Sequence, residues 1–184
     1  MAKTHIKLQI LQYLTTWLEG ITVANGFQHD LAGSVYRGKD QFGANDKGDI
    51  VSILEAKATD YGKFADEDNI VRKDDWIILV QGWADDTVRG RGPNDRHQTD
   101  AVYALLGDVE QRLAQLVEKT PQGVAKYPGV YRMGGLVADM RLSSSVVRPA
   151  EQGLSAKAFF YLPIRIGMAY SICNPWQAYA ELRK

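Results

Sequence analysis

The chain has 184 residues, of which 45% are hydrophobic, 10% aromatic and 24% charged, an ordinary globular composition with enough apolar material for a core that needs no staples. Its 22 basic residues cancel 22 acidic ones, which disfavours a generally basic nucleic-acid binder and an acidic solvating tail. One cysteine, Cys173, excludes an internal disulfide framework and any multi-cysteine zinc site, and His5, His29 and His97 stand too far apart for a metal-ligand spacing.

The length predicts one domain, 1–184. No segment approaches the eighteen or so apolar residues of a membrane span, so a soluble protein is expected. Lys3 to Glu19 predicts an amphipathic helix rather than a signal peptide, because Ile10, Leu14, Trp17, Leu18 and Ile21 recur at helical period. Gly20 is expected to stop it at the C′ position, and Asn25-Gly26 marks a turn. His29 to Phe42 reads as a weak strand, and Asp49 to Leu54 as a short buried one.

Residues 55–75 read as an acidic excursion, too long for an idle connector in a compact domain. Trp76 to Val80 predicts a strand buried on both faces, running out through Trp83. The loop 84–98 carries Arg89, Arg91 and Arg96 among Gly90, Gly92 and Pro93. A second helix begins at Thr99 or Asp100, with Val102, Leu105, Leu106, Val109, Leu113, Leu116 and Val117 on one stripe. Leu136 to Leu142 predicts a strand. Ala158 to Tyr170 predicts a longer one, with Phe160, Leu162, Ile164, Ile166, Met168 and Tyr170 on one face and Pro163 implying an edge or a bulge. A C-terminal arm, 173–184, closes the chain. The order predicts an α+β domain, a mixed or antiparallel sheet of about five strands covered by two helices.

Motifs that carry chemistry do not assemble. Gly90-Arg91-Gly92-Pro93 lacks the third glycine of a dinucleotide loop, and Pro93 removes an amide a phosphate would need. Asp85-Asp86 with His97 has no second ligand at metal spacing, Ser143-Ser144-Ser145 lacks the nucleophile-elbow glycines, and Cys173 has no nearby histidine. The expectation is a protein that is not an enzyme and holds no cofactor or metal.

The charge is segregated. Residues 40–86 hold five basic against twelve acidic residues, net −7, and residues 87–184 hold thirteen against eight, net +5. Tyr36, Arg37, Trp83, Tyr131, Arg132, Arg148, Arg165, Tyr170 and Trp176 are of the types enriched at protein interfaces. An acidic and a basic end suit head-to-tail or ring assembly. Arg89, Arg91, Arg96, Arg148 and Trp176 are the interface candidates; the first three are expected to pair with the acidic middle of an adjacent subunit. The arm is expected to pack on a neighbour rather than on its own core.

The layout resembles the tail terminator (tail-completion) family of long-tailed bacteriophages. The matching stretches are Leu18-Glu19-Gly20-Ile21-Thr22, Ala24-Asn25-Gly26-Phe27, Val35-Tyr36-Arg37-Gly38, the strand near Ile50–Leu54, the strand-loop-helix of 76–117, Arg148-Pro149-Ala150, Leu162-Pro163-Ile164-Arg165-Ile166 and Asn174-Pro175-Trp176. The 55–75 excursion departs from that pattern. The resemblance implies a structural virion protein of the tail or neck, assembled in the host cytoplasm. It would be a homohexameric ring that caps the tail tube protein and meets a head-completion or neck protein, with DNA only as cargo in the lumen and no membrane partner. In such a ring Asp66, Glu67, Asp68, Asp74 and Asp75 are the lumen candidates, since like charge keeps DNA from sticking. Other readings are another neck component (a head-completion or tube protein), a small nucleic-acid-binding regulator, or an enzyme assembled from scattered acids.

Overall fold

A computed structural model describes residues 3–42, 46, 48–56, 70–84, 97, 99–150, 155 and 157–178. Two helices, α1 (Ile6–Glu19) and α2 (Asp100–Ala114), lie on one face of a mixed sheet built from β1 (Val35–Arg37), β2 (Ile50–Glu55), β3 (Val71–Trp83), β4 (Asp139–Leu142), β5 (Val146–Arg148) and β6 (Phe159–Ser171). The spatial order is β1-β2-β3-β6-β4, with β5 also on the far edge of β6. Among the described strands only β1 and β2 run parallel, and the other pairs are antiparallel. The fold is α+β, as the element order predicts.

The main core follows from two periodicities that meet. Ile6, Ile10, Leu14 and Leu18 of α1 and Val102, Leu105, Leu106, Val109 and Leu113 of α2 are buried. They close on Val51 and Ile53 of β2, Trp76, Ile78 and Val80 of β3, and the six even-numbered residues Phe160 to Tyr170 of β6. Each large aliphatic side chain removed from water here stabilises the fold by roughly 1.5–3 kcal/mol. Phe160 needs Gly82: the two are directly paired across β3 and β6, and a Cβ on Gly82 would stand 2.2 Å from the ring.

The helices are tied to each other by a reciprocal contact. Trp17 Nε1 donates to the Arg112 carbonyl and Arg112 Nε to the Trp17 carbonyl, both at 2.9 Å, while the guanidinium lies 3.6 Å from the indole centroid. Burial pushes Arg112 below its ordinary value and Tyr13, beside it, above its own. Gly20 ends α1 with φ −73, not in the left-handed region; its missing Cβ leaves room for Arg112 Nη2, which would lie 2.5 Å away. After α1 the chain first turns left-handed at Gly26, φ +87.

Asp108, buried on α2, holds the segment after that turn. One carboxylate oxygen, Oδ2, accepts the Gln28 N–H at 2.9 Å and the His29 N–H at 3.0 Å, and lies 2.7 Å from His29 Nδ1. His29 is buried with it.

Several boundaries differ from expectation. β3 starts at Val71, so the last five residues assigned to the excursion are strand; of the rest, 57–69 lie outside the described residues. The weak strand at 29–42 shortens to three residues. Trp76 to Val80 is covered on one face only: Ile77 is 47% exposed, because both helices lie on the other side. Burial on both faces occurs instead at the far end, where the β1–β2 connection brings Phe42 onto Ile50, Trp83 and Phe159 as a small second cluster.

Pro163 sits in a central strand opposite a bulge. Leu142 pairs with Ile164 and Val146 with Tyr161, so β4–β5 advances four residues while β6 advances three. The Pro163 carbonyl accepts the Ser143 N–H at 2.9 Å, and a residue's amide and carbonyl face the same edge, so the absent N–H points at the bulge.

The predicted strand at 136–142 begins three residues late because Arg132, Met133, Gly134 and Gly135 form a left-handed turn, with φ of 50, 58, 66 and 82. For Arg132 and Met133 this costs roughly 1–2 kcal/mol each; burial of Met133 in the core helps to offset it.

Two outcomes follow from this packing. Gly82→Ala should lower stability by about 2–3 kcal/mol in urea unfolding, with Phe160→Leu in the same chain recovering part of the loss; a change under about 0.5 kcal/mol would contradict the close approach. Asp108→Ala should cost roughly 3 kcal/mol by leaving buried donors unpaired, and Asp108→Asn, which keeps one acceptor, distinctly less.

Candidate interaction surface

The sheet face opposite the helices gathers the interface-type side chains. Alternation along β3 and β6 places Asp75, Ile77 and Leu79 beside Gly167, Arg165 and Pro163, their partners in register. β4 adds Asp139 next to Gly167 and Arg141 next to Arg165. The bulge then shifts the parity by one, so Val146 and Arg148 of β5 pair with Tyr161 and Phe159 and join the same face. On the other flank Tyr36, paired with Ser52, projects from β1.

The result is a mixed apolar and cationic surface. Ile77, Tyr36 and Val146 are 47%, 39% and 37% exposed, and Arg141, Arg148 and Arg165 are exposed around them. Arg141 and Arg165 stand directly opposite each other, an arrangement that costs energy unless carboxylates intervene. They do: Arg165 Nη2 bonds Asp75 Oδ2 at 2.5 Å and Arg141 Nε bonds Asp139 Oδ2 at 2.9 Å, with Arg132 Nη2 3.8 Å from Asp139 Oδ1. The hydrogen bond to Asp75, with its charge, raises Arg165 above its ordinary value. Gly167 stands between the two aspartates, and a Cβ on it would lie 3.1 Å from that of Asp139.

One end of this face is aromatic. Phe42 lies 4.1 Å from Trp83 and 5.9 Å from Tyr36 by ring centroids, and Lys39 Nζ lies 4.3 Å above Phe42 while bonding Asp46 at 3.0 Å. Trp83 Nε1 donates to Ser155 Oγ at 3.2 Å. Beneath Tyr36, Ser52 is fully buried and its Oγ finds no partner among the described residues.

The sequence candidates separate accordingly. Arg148 lies on this face, Arg37 and Arg148 are exposed, and Asp75 is engaged by Arg165 rather than standing alone. Trp83 and Tyr170 are core. Asp74 falls within β3, paired with Met168. Arg89, Arg91, Arg96, Asp66, Glu67 and Asp68 lie outside the described residues.

The arm corrects an expectation: through Ala178 it docks on its own chain. The Pro175 carbonyl accepts the Ile6 N–H at 2.9 Å, the Trp176 carbonyl accepts Gln9 Nε2 at 2.8 Å, and Ala178 packs on the core. The start of α1 leaves backbone donors unsatisfied, and the arm supplies acceptors for them.

Among the described residues no group of three or more His, Cys, Asp or Glu side chains is arranged to hold a metal ion, and no helix is long and apolar enough to cross a membrane. No known protein family and no curated protein matches the chain.

Because these arginines are exposed and their ion pairs are solvated, Arg141→Ala and Arg165→Ala should each leave the thermal midpoint unchanged within measurement error. A larger loss would mark the pairs as structural.

Proposed function

We propose that the chain is a structural assembly protein of the tail-terminator kind. In this reading it forms a homohexameric ring that caps a tail tube and meets a neck protein, with DNA passing through the lumen. The observation that carries it is the uncovered sheet face: Ile77 at its centre, Tyr36 and Val146 at its sides, and three arginines with two aspartates set among them. Apolar centre, aromatic flank and Arg content match the anatomy of protein interfaces. β3 of the acidic 40–86 segment pairs with β6 of the basic 87–184 segment in one sheet, so the charge presented to neighbours is that of the face itself, three arginines against two aspartates.

The test is the native mass of the purified protein, alone and mixed with tail tubes. Six chains of 20.5 kDa, formed alone or on the tube ends, are expected. Ile77→Glu should fold with stability within about 1 kcal/mol of the parent and fail to assemble. A monomer under both conditions would overturn the ring. Salt-dependent DNA binding by that monomer would favour the regulator reading.

A further inference from the structure

Both described ends of the chain meet at one side chain. His5 is the residue before α1, and its Nδ1 accepts the Lys7 N–H at 3.2 Å as the helix cap. Its ring stands edge-on to Tyr170 of β6 at 5.4 Å and to Trp176 of the arm at 6.5 Å. The next residue, Ile6, donates its N–H to the Pro175 carbonyl, and Gln9 reaches the Trp176 carbonyl while also donating to Thr4. The first turn of α1, the end of β6 and the arm are therefore joined around an imidazole.

We propose that His5 is a proton-operated catch for the C-terminal arm: neutral His5 holds the arm on α1, and protonated His5 lets it go. The chemistry lies in the cap. An imidazole nitrogen that accepts a hydrogen bond carries no proton, and the imidazolium has no acceptor left. Protonation removes the cap and puts a positive charge at the positive end of the helix dipole.

The elements packed against His5 carry charged groups of both signs. Lys3 and Lys7 flank His5 on its own segment, and Lys7 Nζ lies 4.9 Å from the Trp76 ring centroid. Arg72 of β3 reaches Tyr170 Oη at 3.5 Å. Glu55 of β2 accepts from Trp76 Nε1 at 3.2 Å, Asp74 stands between Arg72 and Trp76 in β3, and residues 173–178 of the arm carry no charge. Attraction between an imidazolium and the Tyr170 and Trp176 rings acts the other way, edge-on and near the limit of its range. Among the described residues the arm is held through the Pro175 and Trp176 carbonyls, a half-buried indole and Ala178.

The test is nuclear magnetic resonance of the intact chain between pH 8 and pH 5, following the Ile6 amide, the Ala178 methyl and the imidazole signals of His5, His29 and His97. Protection of the Ile6 amide, corrected for the intrinsic pH dependence of exchange, should fall at least tenfold on acidification. The Ala178 methyl should move toward its free-chain position with the midpoint of His5. His5→Asn, a cap that takes up no proton in this range, should keep the arm docked throughout. An arm that stays docked at pH 5, or that opens with the midpoint of His29 or His97, overturns the proposal, as does His5→Asn opening alongside the parent.

Discussion

Thirteen consecutive pairs join β3 to β6, from Val71–Ser171 to Trp83–Phe159, and almost everything else is placed by that ladder. Its register decides which residues face the helices. Even-numbered positions from Trp76 to Val80 and from Phe160 to Tyr170 make the floor of the main core, and odd-numbered positions from Asp75 to Leu79 and from Pro163 to Gly167 make the uncovered face. A slip of one residue would exchange the two sets, sending Ile164 and Ile166 to solvent and the charge of Arg165 into the apolar core under the helices. Gly82 helps to hold the register, since only a glycine admits the ring of Phe160 directly opposite. The ladder also forces the bulge: Pro163 has no amide to offer the β4–β5 edge, and the mismatch there turns Arg148 onto the face that Arg141 and Arg165 occupy.

Two small devices carry the helices on this sheet. The Trp17–Arg112 exchange fixes α1 against α2 through side chain to backbone bonds in both directions. Asp108 then fastens the segment leading into β1. Both residues of α2 lie one turn apart, on the flank of its apolar stripe, so one helix serves as clamp for α1 and for the loop behind it.

Long periodic segments were legible from the residues alone. The stripes of α1 and α2 and the alternation of β6 all emerge as predicted, because burial on one face imposes a period that composition cannot disguise. The short elements were not. β5 has three residues and no pattern of its own, and it exists because the edge of β6 needs pairing. The apolar run at 76–80 was misread as doubly buried because Ile77 and Leu79 are as hydrophobic as their neighbours; only the position of the helices leaves their side open. Asp108 and Arg112 were passed over within an amphipathic pattern that fits solvated charges equally well. The docked arm was invisible for a different reason: its bonds run through the carbonyls of Pro175 and Trp176, which no side-chain pattern announces.

In the proposed assembly the sheet face centred on Ile77 is the one that neighbours cover. Hydroxyl-radical footprinting of side chains in the isolated and the assembled protein addresses this directly. Protection on assembly should fall on Tyr36, Ile77 and Val146, with Tyr103 on the exposed side of α2 reacting as before. Protection confined to Tyr103 and the helical side, with Ile77 and Val146 unchanged, would contradict it.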